Sequence, residues 1–259
     1  MTSVSLEWQD ATDSKDQPTR EFHLQREGKR LLTGAVWLPE TVADNVPLVC
    51  FGHGGSGDRY QQPISTMASK FLAQGIPCLA IDGPVHGLRG LKEGHPQANF
   101  QKHYVQPDSM ELMRDDWQAA VETVLALPEV GPRSLAYWGL SMGTMFGLPF
   151  IADRNDVLVA CLGLAGADTD KFPHGAELLD LASQLTCPTF FLMQWDDEII
   201  NRERYLNLFD ALGSNNKRMH ANPGKHAEVA KDEIAFMVDF MLGHIQGRLA
   251  ERQVSNISS

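Results

Sequence analysis

Ser134-Leu135-Ala136-Tyr137-Trp138-Gly139-Leu140-Ser141-Met142-Gly143 decides how this chain is read. An apolar run of strand length feeds a Gly-x-Ser-x-Gly pentapeptide, and residues 144–148 continue as a helix-compatible stretch. A serine on so tight a strand-to-helix turn is held near a strained backbone conformation, with its hydroxyl pushed out above the sheet. Gly139 and Gly143 fit because a side chain there would strike the neighbouring strand or helix. The pattern proposes Ser141 as a nucleophile and predicts partners elsewhere in the chain.

Strand and helix signals alternate on both sides of this pentapeptide. Residues 46–51, 76–81, 134–138, 157–164, 189–193 and 217–220 read as strands. Residues 62–74, 108–127, 142–152, 175–184, 202–212 and 227–247 read as helices, with 108–127 strongly amphipathic. Several of the strands are apolar throughout rather than alternating, the mark of a parallel sheet covered by helices on both faces. Residues 20–26 and 30–38, joined by Glu27-Gly28-Lys29, predict an antiparallel hairpin near the start. The expectation is one doubly wound α/β domain over residues 1–259. Residues 86–106, rich in Gly, His, Gln and Pro, are expected as an irregular insertion near Ser141.

A serine hydroxyl needs a base to take its proton, and the base needs a third group to hold its tautomer. Both should follow the serine at the ends of later strands, acid first. The strand at 188–194 runs into Trp195-Asp196-Asp197-Glu198. Asp197 is the expected acid because it precedes Ile199-Ile200 at a spacing that anchors the turn, with Asp196 in reserve. Alternatively, these acids cap the helix that starts at Arg202. His226, in the turn-forming Asn222-Pro223-Gly224-Lys225-His226-Ala227, is the expected base. His220 sits inside a strand and is expected to be structural, while His244 lies deep in the last helix, where solvation is expected.

Developing negative charge on a substrate needs backbone donors. Phe51-Gly52-His53-Gly54-Gly55-Ser56-Gly57 follows a strand and makes the Gly55 N–H one expected donor; the Met142 N–H, next to the nucleophile, is the other. The same loop matches Gly-x-Gly-x-x-Gly, and Asp82 ends the following strand, as in a dinucleotide site. That fingerprint needs a helix beginning at its third glycine, whereas residues 58–63 intervene with Pro63. His53, Gly54, His86, His103, Tyr104 and Trp195 are expected to line a substrate pocket, although Asp82 and His86 read better as braces of the loop after their strand. His86, His95 and His103 lack the spacing of metal ligands, so no metal is expected.

The bulk composition suits a soluble globule. Hydrophobic content is 43% and charged content 21%, which suits a packed core. Net charge is −11, from 22 basic and 33 acidic residues, against binding to nucleic acid or anionic membranes. No apolar run reaches the roughly 20 residues of a membrane span, and the first ten residues lack a secretory pattern. Cys50, Cys78, Cys161 and Cys187 sit in apolar runs without CxxC spacing and read as reduced, buried thiols. The cytoplasm is therefore the expected compartment; oligomeric state is not encoded in any pattern here.

Taken together, His53-Gly54-Gly55, Asp82-Gly83-Pro84-Val85-His86-Gly87, Gly139-Leu140-Ser141-Met142-Gly143, Asp197 and His226 resemble the α/β-hydrolase family over residues 20–247. The resemblance implies a mostly parallel eight-stranded sheet and hydrolysis of a small-molecule ester or related acyl bond without a cofactor. Within the family the chain is most similar to dienelactone-hydrolase-like and small carboxylesterase members. The stretch 164–187 is too short for a large helical cap. Dienelactone hydrolases proper carry cysteine where this chain has Ser141, and dehalogenases carry aspartate. Thioesterases, lactonases and peptidases or amidases share this machinery, and a ligand receptor with a silent site would share the fold.

Overall fold

Residues 4–91 and 93–249 are described in the computed structural model, which is organised around one nine-stranded sheet. The strands are β1 (Val4–Thr12), β2 (Pro18–Arg26), β3 (Leu32–Trp37), β4 (Leu48–Gly52), β5 (Cys78–Ile81), β6 (Leu135–Gly139), β7 (Val157–Gly163), β8 (Thr189–Gln194) and β9 (Lys217–Asn222). Their spatial order is β1-β2-β3-β5-β4-β6-β7-β8-β9. The first three strands and the β3–β5 pairing are antiparallel; from β5 across to β9 every pairing is parallel.

Helices α1 (Ile64–Leu72) and α7 (Lys231–Ile245) cover one face. Helices α3 (Ser109–Leu125), α4 (Met142–Ile151), α5 (Gly175–Gln184) and α6 (Arg202–Ala211) cover the other. Alternation within the central strands feeds both cores. Leu48 and Cys50 of β4 join the second face, while Val49 and Phe51 join the first. This is why those strands read as apolar throughout. The chain goes from β4 to β5 on one side and returns to β6 on the other. Ligands of open α/β sheets bind at such a reversal, beyond the carboxyl ends of the strands.

Four expectations need correction. The sheet has nine strands rather than eight, because β1 adds along the whole of β2. Val4 and Leu6 of this edge strand are 61% and 42% exposed, so little burial signals it. Only Trp8 is anchored, edge-on to Phe22 with its ring centroid 5.6 Å away and beneath the Arg20 guanidinium. The segment 86–106 is not irregular: it holds a 3₁₀ turn at Gly87–Arg89 and α2 (Pro96–Tyr104). His95 caps α2 by accepting the Gln97 N–H, proline occupies the first helical position, and Phe100 and Tyr104, one turn apart, are buried. Finally, α7 starts at Lys231 rather than near residue 227. The buried Gln194 amide nitrogen donates to the Lys225 and Glu228 carbonyls, at 3.2 and 2.7 Å, and holds this stretch as a loop. His244, expected in solvent, is half-buried against the Phe240 ring, and burial lowers its pKa.

Candidate active site

Ser141 stands between β6 and α4 with φ 55° and ψ −119°, a conformation that costs an ordinary residue about 1–3 kcal/mol. The surroundings impose it. The Ser141 N–H donates to the Gly163 carbonyl at 2.9 Å. Thr144 Oγ1 donates to the carbonyl region of Gly139 and Gly163 and accepts the Gly163 N–H. The buried Tyr137 hydroxyl donates to the Gly143 carbonyl at 2.7 Å. A Cβ on Gly143 would lie 2.3 Å from the Gly52 carbonyl oxygen, and one on Gly139 would lie 2.7 Å from the Gly143 carbonyl. Glycine at both places is what lets α4 start against β4.

His226 Nε2 lies 2.9 Å from Ser141 Oγ, and its Nδ1 lies 2.7 Å from Asp197 Oδ2. The ring bridges the serine to the carboxylate, so the proton on Nδ1 faces Asp197 and Nε2 is left to accept from the hydroxyl. Asp197 is at the carboxyl end of β8, where its Oδ1 accepts the N–H groups of Ile199 and Ile200 at 2.7 and 2.9 Å. Its Oδ2 also accepts the Tyr205 hydroxyl, from α6. Burial pushes the Asp197 carboxyl up, but the bonds from His226, Tyr205, Ile200 and Ile199 outweigh it and hold it below the usual carboxylate range. Asp196 does not reach the histidine; it tethers its turn to Gly224, and the Glu198 carboxylate accepts the His226 N–H at 2.9 Å. The cap of α6 is Asn201, which accepts the Arg204 N–H, so neither aspartate is occupied in that role.

Among the described residues, the N–H groups of Gly55 and Met142 have no hydrogen-bond acceptor, whereas the Gly54 N–H is taken by Gln61 Oε1 at 2.7 Å. The peptide that carries the Gly55 N–H is oriented from behind. Gly83 N–H donates to His53 Nε2 at 2.8 Å, which puts the ring proton on Nδ1, and Nδ1 then donates to the Gly54 carbonyl at 2.8 Å. In a planar trans peptide the carbonyl and the following N–H point opposite ways. Tying the Gly54 oxygen to His53 therefore aims the Gly55 N–H away from it. Burial, with His86 adjacent, takes the His53 imidazole down to about 4, so this tautomer persists in the neutral ring. His86 Nε2 donates to the Gly55 carbonyl at 3.0 Å and completes the clamp.

Asp82, wholly buried, accepts Thr33 Oγ1, the Arg59 N–H and guanidinium, and the Leu88 N–H. It is a brace, as is His86, and it is not free to hold a ribose; α1 begins at Ile64, seven residues past Gly57. Three of the expected pocket residues lie inside the protein: His53, His86 and Tyr104 are 2%, 3% and 4% exposed. Both His53 nitrogens and His86 Nε2 bond to backbone, as does Tyr104, which donates to the Pro173 carbonyl at 3.3 Å, while His86 Nδ1 is buried with no hydrogen-bond partner among the described residues. They support the site's walls, and His53 also borders a small cavity with Gly83, Met142 and Phe146. His103 is half-buried beside Phe146, and burial, with Arg30 and Arg89, lowers its pKa. Trp195 is exposed beside the acid turn, under the Arg202 guanidinium at 4.3 Å. Helix α2 packs on the donor loop: a Cβ on Gly55 would meet Gln97 Oε1 at 3.1 Å and Phe100 at 3.4 Å. Among the described residues no cluster of His, Cys, Asp or Glu is arranged to hold a metal ion, and no helix is long and apolar enough to cross a membrane.

Sequence reasoning missed Tyr205, Gln61, Gln97 and Gln194. Gln61, Gln97 and Gln194 lie near recognised motifs, but none of the four carries a spacing that would single it out.

No family model matches the chain. A cold-adapted esterase from an Arctic intertidal metagenomic library, solved in complex with polyethylene glycol, is 35% identical over 92% of this chain and 99% of its own, with a TM-score of 0.75. The acetyl xylan esterase from Paenibacillus sp. R4 shares the fold at 15% identity, with a TM-score of 0.68 over 93% of this chain and 89% of its own. The quorum-quenching protein AidA of Acinetobacter baumannii (strain MDR-ZJ06) is 28% identical over 138 residues, which is 53% of this chain and 41% of AidA. The chain thus aligns with less than half of AidA's length. With these likenesses added to the sheet order and the serine turn, the chain belongs to the α/β-hydrolase superfamily. On its likeness to the cold-adapted esterase, the chain is a carboxylesterase-like hydrolase.

Proposed function

We propose that this protein cleaves a carboxylic ester of a small molecule through Ser141, His226 and Asp197, by way of an acyl-enzyme. The observation that carries the reading is the unbroken chain from Ser141 Oγ through His226 to Asp197, at 2.9 and 2.7 Å. His226 Nε2 takes the serine proton as Oγ attacks the ester carbonyl, and Asp197 keeps the other ring proton on Nδ1 and stabilises the imidazolium. The carbonyl oxygen, now an oxyanion, is received by the unbonded N–H groups of Gly55 and Met142. Each such donor is worth about 3 kcal/mol to the transition state. His226 then gives its proton to the leaving alcohol. In the second half it takes a proton from water, which attacks the acyl-enzyme and frees Ser141. No step calls for a cofactor. We further propose that residues 1–259 act as one domain and that the enzyme works in the cytoplasm on a dissolved substrate.

The test is hydrolysis of a short-chain p-nitrophenyl ester together with labelling by a fluorophosphonate. Ser141→Ala should lose roughly 10⁴-fold or more in kcat and all labelling. Equal rates in the two proteins would end the assignment, and neither labelling nor turnover in wild type would favour a ligand receptor. A panel of acyl chain lengths, thioesters, lactones and amides then ranks the acyl bonds.

A further inference from the structure

Tyr205 holds a position that the Ser–His–Asp mechanism does not itself require. Its ring is fully buried in the first turn of α6, edge-on to Phe191, and its hydroxyl donates to Asp197 Oδ2. That oxygen is the one that also accepts His226 Nδ1–H. Oδ1 already accepts Ile199 and Ile200. A carboxylate offers about four lone-pair sites, and here each has a donor. The Tyr205 bond therefore competes for the electron density that would otherwise strengthen the bond to the imidazolium.

Resting on the reading of Ser141, His226 and Asp197 above, we propose that Tyr205 is a positioning residue that weakens the grip of Asp197 on the His226 imidazolium and so extends activity toward acid pH. A carboxylate with three donors would concentrate more charge on Oδ2 and favour the protonated base. The fourth donor withdraws that charge while fixing the carboxylate plane. Burial and the Asp197 carboxylate push the Tyr205 phenol up, so it remains a neutral O–H donor. The other charged groups around the pair keep their own partners. Glu198 and Asp196, on the acid turn, accept the His226 and Gly224 N–H groups. Glu228, on the histidine loop, accepts the Lys225 N–H, while Arg202 and Arg204, on α6, pair with Asp196 and Asp168. Removing the Tyr205 hydroxyl leaves all of these in place.

The experiment is the pH profile of kcat/KM for wild type and Tyr205→Phe with a p-nitrophenyl ester. The acid limb should move to higher pH by about 0.5–1 unit, the scale of one charge-assisted hydrogen bond partly offset by relaxation. The low-field Nδ1–H proton resonance of His226 should move further downfield, which loss of packing alone would not produce. Placing 3-fluorotyrosine at position 205, a stronger donor of the same shape, should move the acid limb to lower pH; this arm also covers a Phe variant that folds badly. An unmoved limb, or an equal loss at every pH, overturns the proposal. Full activity in Ser141→Ala would instead overturn the reading on which it rests, so the two failures are separable.

Discussion

Acidification should draw stability out of this fold through one buried imidazole. His53 is 2% exposed, accepts the Gly83 N–H and donates to the Gly54 carbonyl, a pattern that only the neutral ring can make. In the folded chain burial takes its pKa from 6.5 down to about 4. Between those values the unfolded chain binds a proton that the folded chain does not, so stability rises with pH in this window and is lost as pH falls through it. The slope is about 1.4 kcal/mol per pH unit, and over the window it accumulates to about 3 kcal/mol. Urea unfolding at a series of pH values from about 7 to about 4 measures it directly for wild type and His53→Asn. The asparagine amide can still donate but cannot titrate. His103 and His244, also lowered by burial, contribute to both proteins alike, whereas His86, edge-on to the His53 ring at 5.1 Å, titrates together with it. The difference in slope therefore reports His53 together with its contact to His86. Parallel slopes would refute both the buried neutral tautomer and the clamp built on it.

Other consequences follow from the same contacts. Gly143→Ala drives a Cβ to within 2.3 Å of the Gly52 carbonyl and should cost about 2–3 kcal/mol in thermal unfolding, with activity lost alongside; an unchanged melt would show that β4 and α4 can separate. Asp82→Asn leaves the buried Arg59 guanidinium with Glu21 as its remaining charge partner and should cost about 1.5–3 kcal/mol, read by denaturant midpoint. Asp197→Asn should lower kcat about 10⁴-fold with little effect on stability beyond the Ile199 and Ile200 bonds, whereas Asp196→Asn should leave kcat near wild type. If the two aspartates exchanged these effects, the assignment of the acid would fail. Gln61→Ala frees the Gly54 N–H, and kcat should fall more than KM rises, because the donor loop loses its aim only where the oxyanion develops.

Much of this was legible because backbone constraints write themselves into sequence. Gly139 and Gly143 must be glycine where α4 crosses β4, and the pattern of two glycines around Ser141 records that contact. The parallel strands were readable as apolar runs because both of their faces are buried. The edge strand β1 was not, since an exposed strand needs only Trp8 to hold it. Helix α2 was hidden because its buried side is only Phe100 and Tyr104 with their neighbours, too few for a periodic signal in nine residues.

Sequence alone determined the serine turn, the order of acid and base, and the place of the donor loop after β4. These are local or ordinal features, set by which residue ends which strand. The tertiary structure alone put the Asp197 carboxylate on the His226 ring and turned Asp196 away from it, made the His53 ring a clamp on the Gly54 peptide, and brought Tyr205 onto Asp197. Each of those depends on direction in space across elements distant in the chain. A carboxylate, an imidazole and a phenol meet at Asp197 Oδ2 because β8, the loop after β9 and α6 converge there. Convergence of that kind leaves no periodicity or spacing in the sequence to be read.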